Sequence, residues 1–183
     1  MSVRVALIVG SLREGAYSRA IGLEMKALAA PELQVELIEI GDLPLYNPDL
    51  DTETPPAAWA RFRAEMKALE AVLFVTPEYN RSIPGALKNA LDVGSRPYGH
   101  SIWSGKPAAI VSVSPGAIGA FGANHHLRQP LVFLNMPTMA QPEAYVGGVA
   151  DLLDDQGKLK KDGTRDFLKG FTDAFGKWIE KTK

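Results

Sequence analysis

The sequence predicts an α/β fold, a doubly wound five-stranded parallel sheet with helices on both faces, and three observations carry that reading. Short apolar runs alternate about five times with stretches of helical periodicity. The runs are apolar throughout, as strands buried on both faces require. Polar loops bearing glycine or proline follow the first, third and fourth runs, where chains cross over to helices that cover a parallel sheet.

Val3 to Val9 is the first expected strand, rich in β-branched residues and closed by Gly10-Ser11. Ile21, Met25 and Leu28 then recur at helical spacing within Ser18 to Ala30, and Pro31 stops that helix. Gln34 to Ile40 reads as the second strand. Gly41 to Pro56 is turn-rich, and Thr54-Pro55 has the form of an N-cap followed by proline at the first helical position. The helix it introduces carries Trp59, Phe62, Met66 and Leu69 on one face. Ala71 to Thr76 is the third strand, followed by a polar loop and a helix from Pro84 through Leu87 and Leu91. Pro107 to Val113 is the fourth, leading through Ser114-Pro115-Gly116 to an apolar-periodic stretch from Asn124 to Leu134. Met136 to Met139 is the expected fifth, shorter strand. The last helix, Arg165 to Lys181, places Phe167, Phe171, Phe175 and Trp178 along a stripe expected to join the core. Residues 1–183 are expected to form one domain.

Composition narrows the function. The 183 residues include 46% hydrophobic and 22% charged side chains, near globular averages. A formal net charge of -1 offers no basic surplus for a phosphate backbone, so nucleic acid is not an expected partner. With no cysteine, thiolate chemistry and cysteine-bound metals are excluded, and redox activity would require a borrowed cofactor. His100, His125 and His126 are the only histidines and make a poor metal set, so no metal is expected. The apolar run Val5 to Val9 is too short for a signal or a membrane span, which makes cytoplasm the expected location.

In a sheet of this kind the ligand belongs at the carboxyl ends of the strands. The first loop, Gly10 to Ser18, combines two glycines, hydroxyls and one arginine at a strand-to-helix turn. Helix N-terminal amides, Ser11, Ser18 and Arg13 suit a terminal monophosphate. The loop lacks the lysine and hydroxyl of a Walker A motif and the G-x-G-x-x-G of a dinucleotide fold. On these residues alone Ser18 could equally be a helix cap and Arg13 a solvated charge.

The second loop, Pro77-Glu78-Tyr79-Asn80-Arg81-Ser82-Ile83-Pro84-Gly85-Ala86-Leu87-Lys88-Asn89-Ala90-Leu91-Asp92, is the most informative stretch. It closely resembles the P-E-Y-N-x-S-x-P-x-x-L-K-N-A-x-D signature of the NADPH-dependent FMN reductase family, which includes quinone and chromate reductases of flavodoxin-like fold. The preceding Gly10-Ser11-Leu12-Arg13 loop occurs in family order, and the likeness continues through Ser95-Arg96-Pro97-Tyr98-Gly99, Gly105-Lys106-Pro107 and His126-Leu127-Arg128-Gln129. A turn of backbone amides and carbonyls can match the polar edge of a flavin while a planar side chain covers its face. Pro77, Glu78, Tyr79, Asn80 and Ser82 offer those parts, with Tyr79 flanking the ring and Asn80 and Ser82 bonding its edge or ribityl chain. Glu78 and Lys88 could instead form structural pairs, and Ser82 could cap the next helix.

The third loop, Ser112 to Gly122, has glycines three residues apart, which permits close backbone approach to a ligand. The resemblance implies that it lines the other side of the flavin, making Ser114, Gly116 and Gly119 candidate contacts. Two departures stand out. Ala16 and Ser18 occupy positions where the family commonly has serine and asparagine, which bears on FMN affinity; Val93 and Gly119-Ala120-Phe121-Gly122 replace the family's usual tryptophan and Gly-Gly-Ala-Arg, which bears on the shape of the substrate pocket.

The resemblance therefore implies an FMN-dependent enzyme that takes electrons from NADPH or NADH and passes them to a small acceptor such as a quinone, flavin, azo compound or chromate. The flavin would carry the chemistry, so no catalytic acid or base is named. Donor would leave before acceptor enters, giving parallel initial-rate plots. The resemblance also implies a homodimer or homotetramer, with Arg128, His125 and Glu143 as candidate interface residues. An electron-carrier flavodoxin would share fold and cofactor, but such carriers are usually strongly acidic. A non-catalytic FMN-binding module is the other alternative.

Overall fold

The computed structural model describes residues 2–182. Strands β1 (Val3–Val9), β2 (Leu33–Ile38), β3 (Ala71–Thr76), β4 (Ala108–Val113) and β5 (Ala144–Val146) form one sheet in the order β2-β1-β3-β4-β5. Every pairing is parallel, and the reversal between β1 and β3 is the switch point of the flavodoxin arrangement. Helices α1 (Tyr17–Leu28), α2 (Ala57–Lys67), α3 (Gly85–Gly94), α4 (Phe121–Phe133) and α5 (Asp162–Thr182) make the crossovers and the final cover.

Because side chains alternate across a strand, the continuous apolar runs supply two cores. Ala6, Ile8, Val72, Phe74 and Ile110 face one side, where Trp59, Phe62 and Met66 of α2, Leu87 and Leu91 of α3 and Leu127 and Leu131 of α4 pack against them. Val5, Leu7, Leu73, Val75 and Val111 face the other and meet Ile21 and Met25 of α1 and Phe171, Phe175 and Ile179 of α5. Burying each large side chain contributes about 1.5–3 kcal/mol, so the central strands are the least movable part of the molecule.

Several expected boundaries shift. The fifth strand is Ala144–Val146, not Met136 to Met139; Pro137 cannot donate to a ladder, and the segment makes a single bridge, Thr138 to Ala108. Helix α2 starts after both prolines, because Pro56 forces Pro55 out of helical geometry, so Thr54 is not its cap. Helix α1 starts at Tyr17 with Ala16 at the cap position, which puts Ser18 inside the first turn. The α5 stripe runs through Leu168, Phe171, Phe175 and Ile179, while Phe167 is 44% exposed.

Candidate functional site

The loops after β1, β3 and β4 converge at one rim of the sheet, as the register of those three neighbouring strands requires. The first is a tight turn into α1. Ser11 is buried, and its Oγ accepts the Arg13 N–H at 3.3 Å, shaping the turn. Ser18 is 2% exposed, and its Oγ has no hydrogen-bond partner among the described residues. The exposed Arg13 guanidinium likewise makes no hydrogen bond or ion pair there. Among the described residues the Tyr17 and Ser18 amides at the start of α1 have no backbone acceptor, whereas Arg19 N–H donates to the Ala16 carbonyl at 3.0 Å. A buried hydroxyl without a partner is costly, about 1–3 kcal/mol, unless a ligand supplies one. Phosphate oxygens, which accept from hydroxyls, amides and guanidinium alike, fit this donor set.

The second loop is a two-residue β-hairpin. Tyr79 and Ser82 exchange backbone hydrogen bonds at 2.9 and 3.0 Å around Asn80 (φ 53°) and Arg81 (φ 66°). Both central residues lie in the left-handed region, the signature of a type I′ turn. Tyr79 is 45% exposed and stands beside a hollow of about 370 Å³ that it shares with Leu12, Arg13, Pro84, Gly85 and Ala86. That hollow links the first loop to the hairpin. Ser82 does not cap α3, whose cap position is Pro84; its Oγ lies 2.6 Å from His126 Nδ1 instead. The Glu78 carboxylate accepts the Ala123 N–H at 3.0 Å and the Arg81 guanidinium at 3.1 Å, so it faces α4 and only its backbone remains for the rim. Lys88 pairs with Asp92 one turn along α3 at 2.7 Å.

The third loop is fixed from beneath. Ser112 Oγ donates to the Gly119 carbonyl at 2.7 Å, and the buried Asn124 amide donates to Ser112 Oγ at 3.3 Å. Ser114 Oγ accepts the Gly116 N–H at 3.0 Å. Gly119 has φ +64°, and a Cβ there would stand 2.7 Å from the Tyr145 carbonyl carbon, so only glycine lets the loop lie on β5. Gly116 and Ser114 remain accessible at the surface.

The loop after β2 completes the rim and is braced internally. Arg63 of α2 makes a two-pronged pair with Asp51 at 2.8 and 2.9 Å and also donates to the Val93 carbonyl of α3 at 3.0 Å. Both side chains are nearly buried. Tyr46 adds a hydroxyl to Asp51 at 3.2 Å, and its N–H donates to Asn89 Oδ1 at 2.8 Å. The hydrogen bonds from Arg63 hold the Asp51 carboxyl below its usual range.

The larger cavity, about 630 Å³, lies between α3 and α4, where Ser82, Gly85, His126 and Phe133 line it. It meets the 370 Å³ hollow at Gly85. Among the residues suggested for subunit contact, Arg128 is tied within the chain to Asn124 and the Met139 carbonyl. His125 stands 2.9 Å from the Tyr145 hydroxyl and 3.8 Å from Glu143. Burial and the Glu143 hydrogen bond push Tyr145 up to about 12, which keeps its hydroxyl protonated. No group of three or more residues able to hold a metal occurs among the described residues.

Sequence reasoning thus picked out loop residues at one rim, Ser11, Arg13, Tyr79, Asn80, Ser82, Ser114 and Gly116 with the backbone of Pro77 and Glu78, whereas Ser18 is buried in the first turn of α1 and Gly119 is buried against Tyr145. It missed Leu12, Pro84 and Ala86, which wall the hollow, and Ser112 and Asn124, which set the third loop from below. A lone leucine in a polar loop and an asparagine inside a helix carry no local signal of either role.

Residues 3–151 match the model of the NADPH-dependent FMN reductase family. A quinone reductase of Pseudomonas putida is 61% identical over 176 residues, 96% of this chain and 94% of that protein. The solved structure of FerB, a flavoenzyme NAD(P)H:(acceptor) oxidoreductase from Paracoccus denitrificans, superposes with a TM-score of 0.92 at 42% identity over 98% of both chains. A flavodoxin variant from Pseudomonas aeruginosa, with a TM-score of 0.61 at 16% identity over 95% of this chain and 99% of that one, shares the fold. The rim geometry, the ordered motifs and these likenesses agree: the chain belongs to the NADPH-dependent FMN reductase family.

Proposed function

We propose that residues 1–183 act as one FMN-binding unit that takes electrons from NADPH or NADH and delivers them to a small acceptor, with a quinone as the leading class. The observation that carries this reading is an open donor set in the first loop, where among the described residues neither Ser18 Oγ nor the Arg13 guanidinium has a partner, next to an apolar hollow lined by Arg13 at one end and Tyr79 at the other. Bound FMN would supply hydride and electron transfer, a chemistry the cysteine-free chain does not provide from its own side chains.

The chain's part is binding and orientation. Ser11, Ser18, Arg13 and the Tyr17 and Ser18 amides at the start of α1 would hold the phosphate. The backbone of Pro77, Glu78 and Asn80 would meet the polar edge of the ring, Tyr79 would flank its face, and Ser114 and Gly116 would close the other side, while Ser82, whose N–H and C=O both bond Tyr79, and buried Gly119 set the shape of those turns. Fixing donor and acceptor about 3–3.5 Å from the reacting position is a proximity effect that needs no acid–base pair. The Pseudomonas putida relative is a quinone reductase, which supports the acceptor class. A flavin, azo compound or chromate would be reduced at the same accessible position.

Self-association into a homodimer or homotetramer is part of this reading. Val132 and Phe133 at the end of α4 are 77% and 82% exposed beside the α3–α4 cavity, whose Lys88, Arg96 and Asp92 give a two-fold contact both signs of charge. No described helix is long and apolar enough to cross a membrane, and cytoplasm remains the proposed location.

Anaerobic titration of FMN-loaded protein tests the proposal. Bleaching of the yellow protein by NADPH or NADH, and its return on adding a quinone, is the expected result. Yellow protein that neither nucleotide bleaches would indicate an electron carrier, and colourless protein that ignores FMN would indicate a binding module of another kind.

A further inference from the structure

Helix α4 begins without a cap of its own. Ala120 stands at the cap position in the left-handed region (φ 60°) with no side-chain bond, and the first turn carries no acidic residue. Its first amides would therefore lack an acceptor, and the positive end of a 13-residue helix would lack a counter-charge. Glu78, 45 residues earlier in the chain, supplies both. Its Oε2 accepts the Ala123 N–H at 3.0 Å, its Oε1 accepts from Arg81, and the side chain is only 14% exposed. The fit is close: a Cβ on Gly122 would stand 2.8 Å from Glu78 Oε2 and 3.1 Å from the Arg81 carbonyl.

This contact joins two loops that share no backbone hydrogen bond across the rim. Glu78 opens the Tyr79–Ser82 hairpin, whereas α4 is the continuation of the Ser114–Gly119 loop. Buried Asn124, the residue after Ala123, bonds Ser112 beneath that loop. The Glu78 carboxylate, together with the 2.6 Å contact of Ser82 Oγ with His126 Nδ1, thus ties the hairpin to α4.

We propose that Glu78 is a positioning residue that sets the width of the slot between the hairpin and the Ser114–Gly119 loop, and thereby the affinity and seating of the flavin ring. The inference rests on the FMN reading above and deepens it. The side chain acts through α4 and does not touch the ring; its charge is neutralised by Arg81 and the helix terminus.

The test compares Glu78→Ala and Glu78→Gln with wild type in three measurements: FMN dissociation constant by fluorescence quenching, visible circular dichroism of the bound flavin, and amide exchange at Ala123 in FMN-free protein. Glu78→Ala is expected to exchange faster at Ala123, to weaken FMN roughly tenfold, equivalent to about 1.4 kcal/mol, and to alter the visible spectrum. Glu78→Gln keeps an acceptor for the Ala123 N–H and is expected to restore affinity to within about threefold. Should Glu78→Ala not fold, Gly122→Ala pushes the carboxylate away from the amides and is expected to change affinity and spectrum in the same direction. Wild-type affinity and spectrum in Glu78→Ala, with exchange accelerated, would reduce the contact to an ordinary helix cap and overturn the proposal. Unaltered exchange would overturn it as well, by showing that the brace does not exist. A flat FMN titration in wild type would remove the functional reading and this role together, and is recognised without any variant.

Discussion

The loop after β1 and the loops beside it solve opposite problems. The hairpin after β3, the loop after β4 and the loop after β2 engage their polar side chains with the protein itself, through Glu78 and Ala123, Ser112 and Gly119, and Asp51 and Arg63. The first loop leaves Ser18 Oγ and the Arg13 guanidinium without partners among the described residues. What differs is how each region would answer to a ligand. The braced loops offer a surface of set shape built from backbone, while the open loop holds donors that suit an anion.

Cutting a brace should therefore cost stability, and removing an open donor should cost binding. The largest effect is expected at the Asp51–Arg63 pair. Asp51→Asn or Arg63→Leu strands a nearly buried charge or its partner groups, and urea unfolding should show a loss of about 3–5 kcal/mol. The same pair predicts a pH dependence. Asp51 titrates below its ordinary 3.8 in the folded chain, so the unfolded chain takes up the proton first as acid is added. The stabilisation should be complete above about pH 4–5, fall away through and below that ordinary value, and be absent from the acid limb of Asp51→Asn.

Arg13→Ala sharpens the other side of the contrast. Loss of one charge-assisted contact should weaken FMN by about 1.5–3 kcal/mol, read by calorimetry, with the unfolding midpoint of the FMN-free protein unchanged. A fall in that midpoint would mean the guanidinium is a brace after all. Ser18→Ala is expected to have the smallest effect and the most telling sign. Removing a buried hydroxyl that has no partner should raise the stability of the FMN-free protein slightly, while binding weakens by about 1 kcal/mol. Both quantities moving down together would break the comparison.

The same contrast marks what could be read in the sequence. Strands β1 and β3 and the rim they form were legible because long β-branched runs end abruptly in polar loops, whereas the donors of the first loop were singled out from the alternatives only by the family resemblance, since serine and arginine in such a turn serve equally as a cap and a solvated charge. The short β5 was not. Ala144-Tyr145-Val146 is three residues long and is a strand only because β4 lies beside it, whereas Met136 and Met139 are buried without joining the ladder beyond one bridge. Glu78 sits in a motif that invited a ligand-facing role, yet its carboxylate turned toward a helix 45 residues away. Contacts of that separation are set by tertiary packing and leave no periodic trace. Phe167 failed for a related reason, since its neighbour Leu168 lies closer to the axis of the buried stripe.

The two-residue hairpin at Asn80 and Arg81 makes loop length discontinuous. Both residues lie in the left-handed region that closes such a turn, and a strand's side chains alternate with every residue. Adding or deleting one residue there would invert which way Tyr79 and Ser82 point, so gradual change is barred at this edge. Change at this edge should instead proceed by side-chain replacement within a fixed turn length, where size can vary one methylene at a time.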